Sequence, residues 1–172
     1  KGVLNSDLIP VLVGSASNNI GIHTLLDMFI DYLPNPSDLK PYTAHDLNGN
    51  EVSVSTNSDE AFSGYVFKTY VDPYSGIINL LKINSGVLRL NDEVYCSDGT
   101  TQKISNLFTM TGKNLNAINE ARSGDIVALT HVDNLRSGMS LSSVKNPIVY
   151  PPVKYPTAVI FKALVLNNKN NE

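Results

Sequence analysis

Residues 61–83 read AFSGYVFKTYVDPYSGIINLLKI, and this stretch decides the fold. Its two ends, residues 61–71 and 77–83, are rich in Val, Ile, Leu, Tyr and Phe, the residue types that favour β-strands. Between them, residues 72–76 (DPYSG) place proline after aspartate and end in glycine. This is ordinary turn chemistry, and we favour a turn here over a functional loop. The stretch therefore predicts two antiparallel strands joined by a turn.

Three further apolar runs follow, at residues 93–96, 102–108 and 125–132, each bounded by turn-forming residues. Residues 102–108 show the alternation of a half-buried strand. Residues 125–132 carry apolar side chains at both odd and even positions, which predicts a strand covered on both faces. Because no helical pattern separates these short strands, the sequence predicts a mainly β fold with a small closed antiparallel β-barrel.

The chain before this stretch has a different pattern. Residues 8–13 (LIPVLV) are typical of a strand buried on both faces of a parallel sheet. Apolar side chains then recur at helical spacing over residues 22–33, and prolines at 34 and 36 stop the predicted helix. A buried strand, a loop and an amphipathic helix form half of a βαβ unit, whose ligands bind at the carboxyl end of the strand. The loop over residues 14–19 has that position.

Two connectors complete the predicted organisation. Residues 37–60 are polar, and Asn48-Gly49 predicts a two-residue hairpin turn between residues 43–47 and 51–54. Residues 146–156 contain four prolines, which exclude a regular helix or a central strand, whereas residues 157–166 (TAVIFKALVL) predict a strand. We thus expect an α/β remnant over 1–36, a linker over 37–60, the barrel over 61–145, and a linker with the first strand of a further domain over 146–172. Because the chain begins at Lys1, we expect a piece excised from a longer protein.

Composition excludes several classes of function. The 172 residues are 42% hydrophobic and 17% charged, so the chain can bury a core, and its net charge of −3 gives no global attraction to nucleic acid or anionic membranes. The single cysteine, Cys96, excludes an intramolecular disulfide framework, and we expect it to be a buried, inert thiol. His23, His45 and His131 lack a second ligand at metal spacing. We expect a soluble, cytoplasmic chain with no membrane contact, no metal site and no catalytic residue.

A resemblance to a known family rests on three consecutive blocks that cover nearly the whole chain. Residues 10–36 (PVLVGSASNNIGIHTLLDMFIDYLPNP) resemble the end of the G domain of elongation factor G, and residues 147–163 are similar to the entry into its third domain. The middle block resembles the family's second domain, which is itself a barrel, through Val66-Phe67-Lys68-Thr69, Asp72-Pro73-Tyr74, Gly76, Ser85-Gly86-Val87-Leu88 and Gly124-Asp125-Ile126.

The resemblance implies a fragment of a ribosome-dependent GTPase that drives translocation of tRNA and mRNA. It implies that Gly14, Ser15 and Ala16 close over the guanine base, where a backbone N–H can donate to the guanine carbonyl oxygen. The phosphate-binding loop, both switches and the Asn-Lys-x-Asp motif would precede Lys1. We therefore expect GTP or GDP with Mg²⁺ in the full-length protein, and neither a cofactor nor GTP hydrolysis in this fragment alone.

The resemblance also implies partners. In the family, the second domain contacts small-subunit ribosomal RNA and the first switch region, and RNA contact requires cations. The candidates are Lys68, Lys82, Arg89, Lys103 and Lys113. For each of them, the alternative is a solvated face balanced by nearby acids. We expect the fragment to be monomeric, although the edge of the strand predicted at 157–166 could pair between copies.

Two departures from the family pattern keep other functions open. Gly112-Lys113 resembles the paralogous, second-copy group more than the His-Ala-Asn-type sequence of many elongation factors G. Residues 137–141 (SGMSL) replace the usual Thr-Gly-Asp-Thr-Leu, so that Met139 stands where an acidic residue is expected. The alternatives to the housekeeping translocase are a ribosomal protection factor or other specialised relative, and an interaction barrel with no GTPase history.

Overall fold

Antiparallel β-strands dominate the computed structural model, which describes residues 2–132 and 134–163. One helix, α1 (Ile22–Tyr32), precedes a 3₁₀ turn at Pro36–Asp38. The strands are β1 (Tyr42–Asp46), β2 (Glu51–Val54), β3 (Ser63–Asp72), β4 (Gly76–Ser85), β5 (Val87–Arg89), β6 (Glu93–Cys96), β7 (Thr101–Lys103), β8 (Leu107–Thr111), β9 (Asn114–Ala117), β10 (Glu120–Arg122), β11 (Ile126–Thr130), β12 (Ser140–Ser143) and β13 (Ile148–Val149).

These strands form three sheets. The main sheet has the order β7-β6-β12-β3-β4-β11-β8-β9, a second sheet pairs β10 with β5, and a third, the connector sheet, has the order β13-β1-β2. The first two sheets enclose one hydrophobic core, whose largest fully buried side chains include Leu81, Ile83, Leu88, Leu129 and Leu141. The mainly β, antiparallel prediction is confirmed. No ladder joins the end strands β7 and β9 within the described part of the chain, so barrel closure stays a prediction.

The stretch that decides the fold forms the long hairpin of β3 and β4. Its turn is organised by Asp72, whose Oδ1 accepts the N–H groups of Tyr74 at 2.9 Å and Ser75 at 2.8 Å. Gly76 supplies a positive φ of 71° at the start of β4. The predicted turn is confirmed.

The run at residues 102–108 was wrongly predicted as one strand. The chain bends between β7 and β8 at Ile104, which is fully buried. The Ile104 N–H donates to the Asp92 carbonyl at 2.9 Å, and its own carbonyl accepts the Asn91 N–H at 2.7 Å. Ile104 lies in the bend and its side chain packs in the main core. The alternation of apolar residues therefore runs through the bend, although the strand does not.

The strand predicted to be covered on both faces is β11. Val127 and Leu129 lie in the main core, and Ala128, on the opposite face, is also buried. The register places Ala128 between Leu80 of β4 and Phe108 of β8, and these larger neighbours explain why the Ala128 side chain is buried. Ile126, by contrast, is 56% exposed.

The connector hairpin is confirmed, but its turn is longer than the predicted two residues. The last ladder pair of β1 and β2 is His45 with Glu51. Asp46 organises the loop that follows, because its Oδ1 accepts the N–H groups of Asn48 and Asn50. Hydrogen bonds, those from Asn50 above all, lower the pKa of this carboxyl.

The amino-terminal prediction is half correct. Helix α1 is present and ends at Tyr32, and the capping residue Leu33 has the extended backbone that suits a residue before Pro34. Residues 8–13 form no strand, and Ile9, Val11 and Val13 are more than 80% exposed. The prediction of a buried strand is wrong here because no other described strand pairs with this segment, and a strand of a parallel sheet needs such neighbours.

The carboxyl-terminal strand prediction is also wrong where it can be compared. Residues 157–163 form no strand and are exposed, and residues 164–166 lie outside the described residues. No described strand lies beside this segment to satisfy its backbone. Within residues 2–132 and 134–163, no helix is long and apolar enough to cross a membrane.

Candidate guanine loop and cationic side chains

The candidate guanine loop is a closed turn. The Ser15 N–H donates to the Ile20 carbonyl at 2.9 Å, and the Ile20 N–H donates back to the Ser15 carbonyl at 3.0 Å. The Asn19 N–H donates to the Ala16 carbonyl at 3.2 Å, with Asn19 at a φ of 54°. These bonds fix the loop although the segment before it forms no strand.

Two glycines allow this turn to close. A Cβ atom on Gly14 would lie 2.8 Å from the carbonyl oxygen of Ile20. A Cβ atom on Gly21 would lie 2.8 Å from the carbonyl oxygen of Val13, and the φ of Gly21 is 74°. Because both contacts are with backbone atoms, a side chain at either position would push the two ends of the loop apart.

The hydrogen bonds of the loop distinguish Ser15 from Ala16. The N–H of Ser15 is used by Ile20, and its Oγ lies 3.4 Å from the Ser17 Oγ. Ala16 is exposed, and none of the hydrogen bonds within the described ranges uses its N–H. The N–H of Ala16 is therefore available to an acceptor outside the chain.

Lys68 and Lys113 lie toward the end of the main sheet that carries the turn between β3 and β4. The Lys68 Nζ lies 5.7 Å from the centroid of the Tyr70 ring, and the Tyr70 hydroxyl reaches the Met110 Sδ of β8 at 3.3 Å. Lys113 lies in the turn between β8 and β9. The N–H groups of Ser75 and Tyr74 lower the pKa of Asp72, and the charge of Lys113 lowers it further. Both lysines are exposed.

Lys82 has a different setting. Its Nζ lies 3.4 Å from the Tyr42 hydroxyl oxygen and 5.9 Å from the centroid of that ring. Lys82 is half-buried and lines a mainly apolar groove of about 460 Å³ with Phe67, Ile126 and Tyr150. It is thus already engaged with the connector sheet.

The remaining two cations face acids. The Arg89 Nε lies 3.6 Å from the Glu120 Oε2, and the same carboxylate accepts from Arg122 at 2.8 Å. The Arg122 hydrogen bond is the main cause that lowers the pKa of Glu120. Lys103 stands opposite Glu93 in the ladder of β6 and β7. The five predicted cations therefore lie in three different settings.

Sequence reasoning missed a cluster of buried hydroxyl groups. The Ser63 Oγ lies 2.8 Å from the Ser85 Oγ and 2.6 Å from the Tyr150 hydroxyl oxygen. Burial raises the pKa of the Tyr150 hydroxyl. The two serines are 22 residues apart, and serine in a strand gives no signal of where its hydroxyl points.

The described residues assemble neither a metal centre nor a reactive thiol. In the part of the chain that the structure describes, no group of three His, Cys, Asp or Glu side chains could hold a metal ion. Cys96 is 1% exposed in the main core, and burial raises the pKa of its thiol. The prediction of a buried thiol is confirmed, and its thiolate is disfavoured.

Comparisons with known proteins agree on one family. Residues 61–144 match the family described as elongation factor G domain 2. Elongation factor G of Orientia tsutsugamushi, strain Boryong, is 36% identical over 162 residues, which are 93% of this chain and 23% of that protein. The protein of strain Ikeda gives the same figures. A crystal structure of a Thermus thermophilus protein has a TM-score of 0.60 and 25% identity, over 80% of this chain and 18% of the other. The chain spans about a quarter of the length of these curated relatives.

Proposed function

Because this chain belongs to the elongation factor G family, we propose that it is part of a ribosome-dependent translational GTPase, from the guanine-closing loop to the entry into the third domain. The observation that carries the proposal is the 36% identity over 93% of the chain, which spans the loop, the central sheet and both connectors. Such continuous similarity argues against an unrelated interaction barrel. The proposed divisions are 1–36 for the end of the G domain, 37–60 for a linker, 61–145 for the second domain, and 146–172 for the passage to the third.

In this proposal, the chain contributes the base side of the nucleotide pocket. The Ala16 N–H is the donor to the guanine carbonyl oxygen, because the Ser15 N–H is used within the loop. Gly14 and Gly21 keep the loop narrow enough to present that donor. The loop fits the edge of a guanine, whereas the phosphates and Mg²⁺ require residues outside this chain. When bound, GTP with Mg²⁺ supplies the phosphoryl group whose hydrolysis drives the cycle.

The main sheet supplies the contact with small-subunit ribosomal RNA. Lys68 and Lys113 are the best candidates, because both are exposed and lie at the same end of the sheet. Arg89 shares a carboxylate with Arg122, and Lys82 is held against Tyr42, so their charges are less available to phosphates. Packing of this domain against the first switch region would couple the nucleotide state to the position of later domains. The intact protein would act in the cytoplasm, and we propose that this chain is monomeric.

One observation favours a specialised relative over the housekeeping translocase. Met139, which replaces the acidic residue of the usual turn, is 6% exposed and packs in the main core. An aspartate in the same place would be buried without a partner, which is costly. In this chain the turn at residues 137–141 is therefore built around an apolar side chain, which an acidic residue could not replace without cost. A ribosomal protection factor, in which the same domains evict a drug or tRNA, is the second candidate.

Ribosome pelleting of the intact protein tests the proposal. We expect ribosome binding that depends on a non-hydrolysable GTP analogue, that weakens with salt, and that falls several-fold in a Lys68→Ala/Lys113→Ala double variant. An Arg89→Ala/Lys103→Ala double variant removes the same charge and serves as the matched control. A translocation assay then separates the housekeeping factor from a protection factor. Nucleotide-independent binding, or none, would contradict the proposal.

A further inference from the structure

The connector sheet unites chain segments from both sides of the main sheet. Strands β1 and β2 precede the main sheet, whereas β13 follows it. The ladder between β13 and β1 has only two pairs, His45 with Val149 and Asp46 with Ile148. A ladder this short is marginal by itself, so other contacts must hold β13.

Two serines of β12 bind the backbone of the exit segment. The Ser142 Oγ accepts the Ile148 N–H at 3.1 Å, and the Ser140 Oγ accepts the Tyr150 N–H at 2.9 Å. Both serines are at most 1% exposed and lie two residues apart, on one face of their strand. The main sheet thus satisfies the edge of β13 with side chains.

A relay of hydroxyl groups adds a second attachment. The Ser85 hydroxyl donates to the Ala61 carbonyl at 2.7 Å, and a serine hydroxyl has one proton. The Ser63 hydroxyl must therefore donate to Ser85 at 2.8 Å, and the Tyr150 hydroxyl to Ser63 at 2.6 Å. Every proton of the relay has a defined direction. Loss of any member would remove at least one buried hydrogen bond from the relay.

The Tyr150 ring joins the same two sheets. It meets the Tyr42 ring of β1 edge to face at a centroid distance of 6.3 Å and the Tyr65 ring of β3 at 6.5 Å. Beyond it, residues 151–163 form no strand and are exposed, and only Pro151 and Val153 still line the groove beside Tyr42 and Lys82.

We propose that Tyr150 is a latch that locks the connector sheet to the main sheet, so that residues 42–54 and 148–150 move with it as one body. The chain then changes direction only beyond Tyr150, within residues 151–156. In any protein with a domain after this chain, the latch sets where that domain pivots. The inference rests on contacts alone and does not depend on the proposed function.

Peptide-resolved hydrogen exchange on the intact protein tests the latch. In the wild type, we expect protection through Tyr150 and rapid exchange from Val153 onward. Tyr150→Phe should raise exchange in residues 42–54 and 148–150 by about tenfold, with residues 63–85 unchanged, because one buried hydrogen bond is lost. Tyr155→Phe, which removes the same hydroxyl from an exposed tyrosine five residues away, should change nothing.

Several outcomes would overturn the latch. These are unchanged exchange in Tyr150→Phe, equal acceleration across the main sheet, or protection that continues through residues 153–155. If Tyr150→Phe does not fold, Ser63→Ala breaks the same relay from the main sheet. It must likewise raise exchange in residues 42–54 and 148–150, with residues 64–84 unchanged.

Discussion

Ser15 and Ile20 exchange two backbone hydrogen bonds, of 2.9 and 3.0 Å, which close the candidate guanine loop before helix α1 begins. The pairing needs no side chain, which is why a Ser-Ala-Ser-Asn-Asn sequence can form it. It does need Gly21, at a φ of 74°, to bring the chain back past Val13.

Gly21→Ala should therefore weaken guanine nucleotide binding by the intact protein about tenfold or more. The added Cβ would meet the Val13 carbonyl oxygen at 2.8 Å, and alanine tolerates positive φ poorly. Titration with a fluorescent GDP analogue measures the effect. Gly49→Ala is the control, since Gly49 has a φ of 85° and no atom within 4 Å of its Cβ position. Equal losses in both variants would show that the loop itself is not involved.

Gly86→Ala should destabilise the fold more than any other glycine substitution in the main sheet and its connections. Its Cβ would lie 2.5 Å from the Phe62 nitrogen and 2.6 Å from the Phe62 Cα, which cannot move without disturbing β3. We expect a loss of at least about 2 kcal/mol in the free energy of unfolding, from the clash and the positive φ together. Gly99 also has a positive φ, but no atom lies within 4 Å of its Cβ position, so Gly99→Ala measures the cost of the backbone conformation without a clash. Chemical denaturation compares the Gly86→Ala and Gly99→Ala variants. Similar losses would mean that the sheet accommodates the Cβ.

Met139→Asp tests whether the unusual turn at residues 137–141 depends on an apolar side chain. Met139 lies in the main core, so a carboxylate there would be buried without a partner, and we expect a loss of about 2–5 kcal/mol in the free energy of unfolding. Ser137→Asp, on the exposed side of the same turn, should stay within about 0.5 kcal/mol of the wild type. Chemical denaturation of both variants measures these losses. A tolerated Met139→Asp would remove the structural argument for a specialised relative.

The raised pKa of Tyr150 predicts a loss of stability at high pH. Burial favours the neutral hydroxyl in the folded state, while the unfolded chain ionises at the ordinary value near 10.0. Below that pH both states keep the proton and the full contribution is present. Above it the unfolded state loses its proton first, so the free energy of unfolding falls as pH rises toward the folded pKa. The wild type should therefore lose its stability advantage over Tyr150→Phe above about pH 10. A difference that does not change with pH would show that the hydroxyl ionises equally in both states.

The sequence predicted correctly those elements whose structure is determined by residues close together in the chain. The Asp72 turn, helix α1 and the connector hairpin depend on turn residues and on apolar spacing, which are visible in a few neighbouring positions. The strands at 8–13 and 157–166 were predicted from apolar character alone, and a strand needs a partner that the described chain does not provide. The Tyr150 relay could not be predicted, because it joins Ser63, Ser85 and Tyr150 through contacts between distant segments of the chain. At the candidate site, the sequence indicated the loop and the five cations. Only the structure showed that Arg89 shares a carboxylate with Arg122, whereas Lys68 and Lys113 are exposed.

The most direct test of the central claim is the rate of GTP hydrolysis by the intact protein with and without ribosomes, beside this chain alone. We predict that ribosomes strongly stimulate the intact protein, whereas the isolated chain is silent because it lacks the phosphate-binding residues. An intact protein that hydrolyses GTP at the same rate with and without ribosomes would contradict a role in translation and leave only a shared architecture.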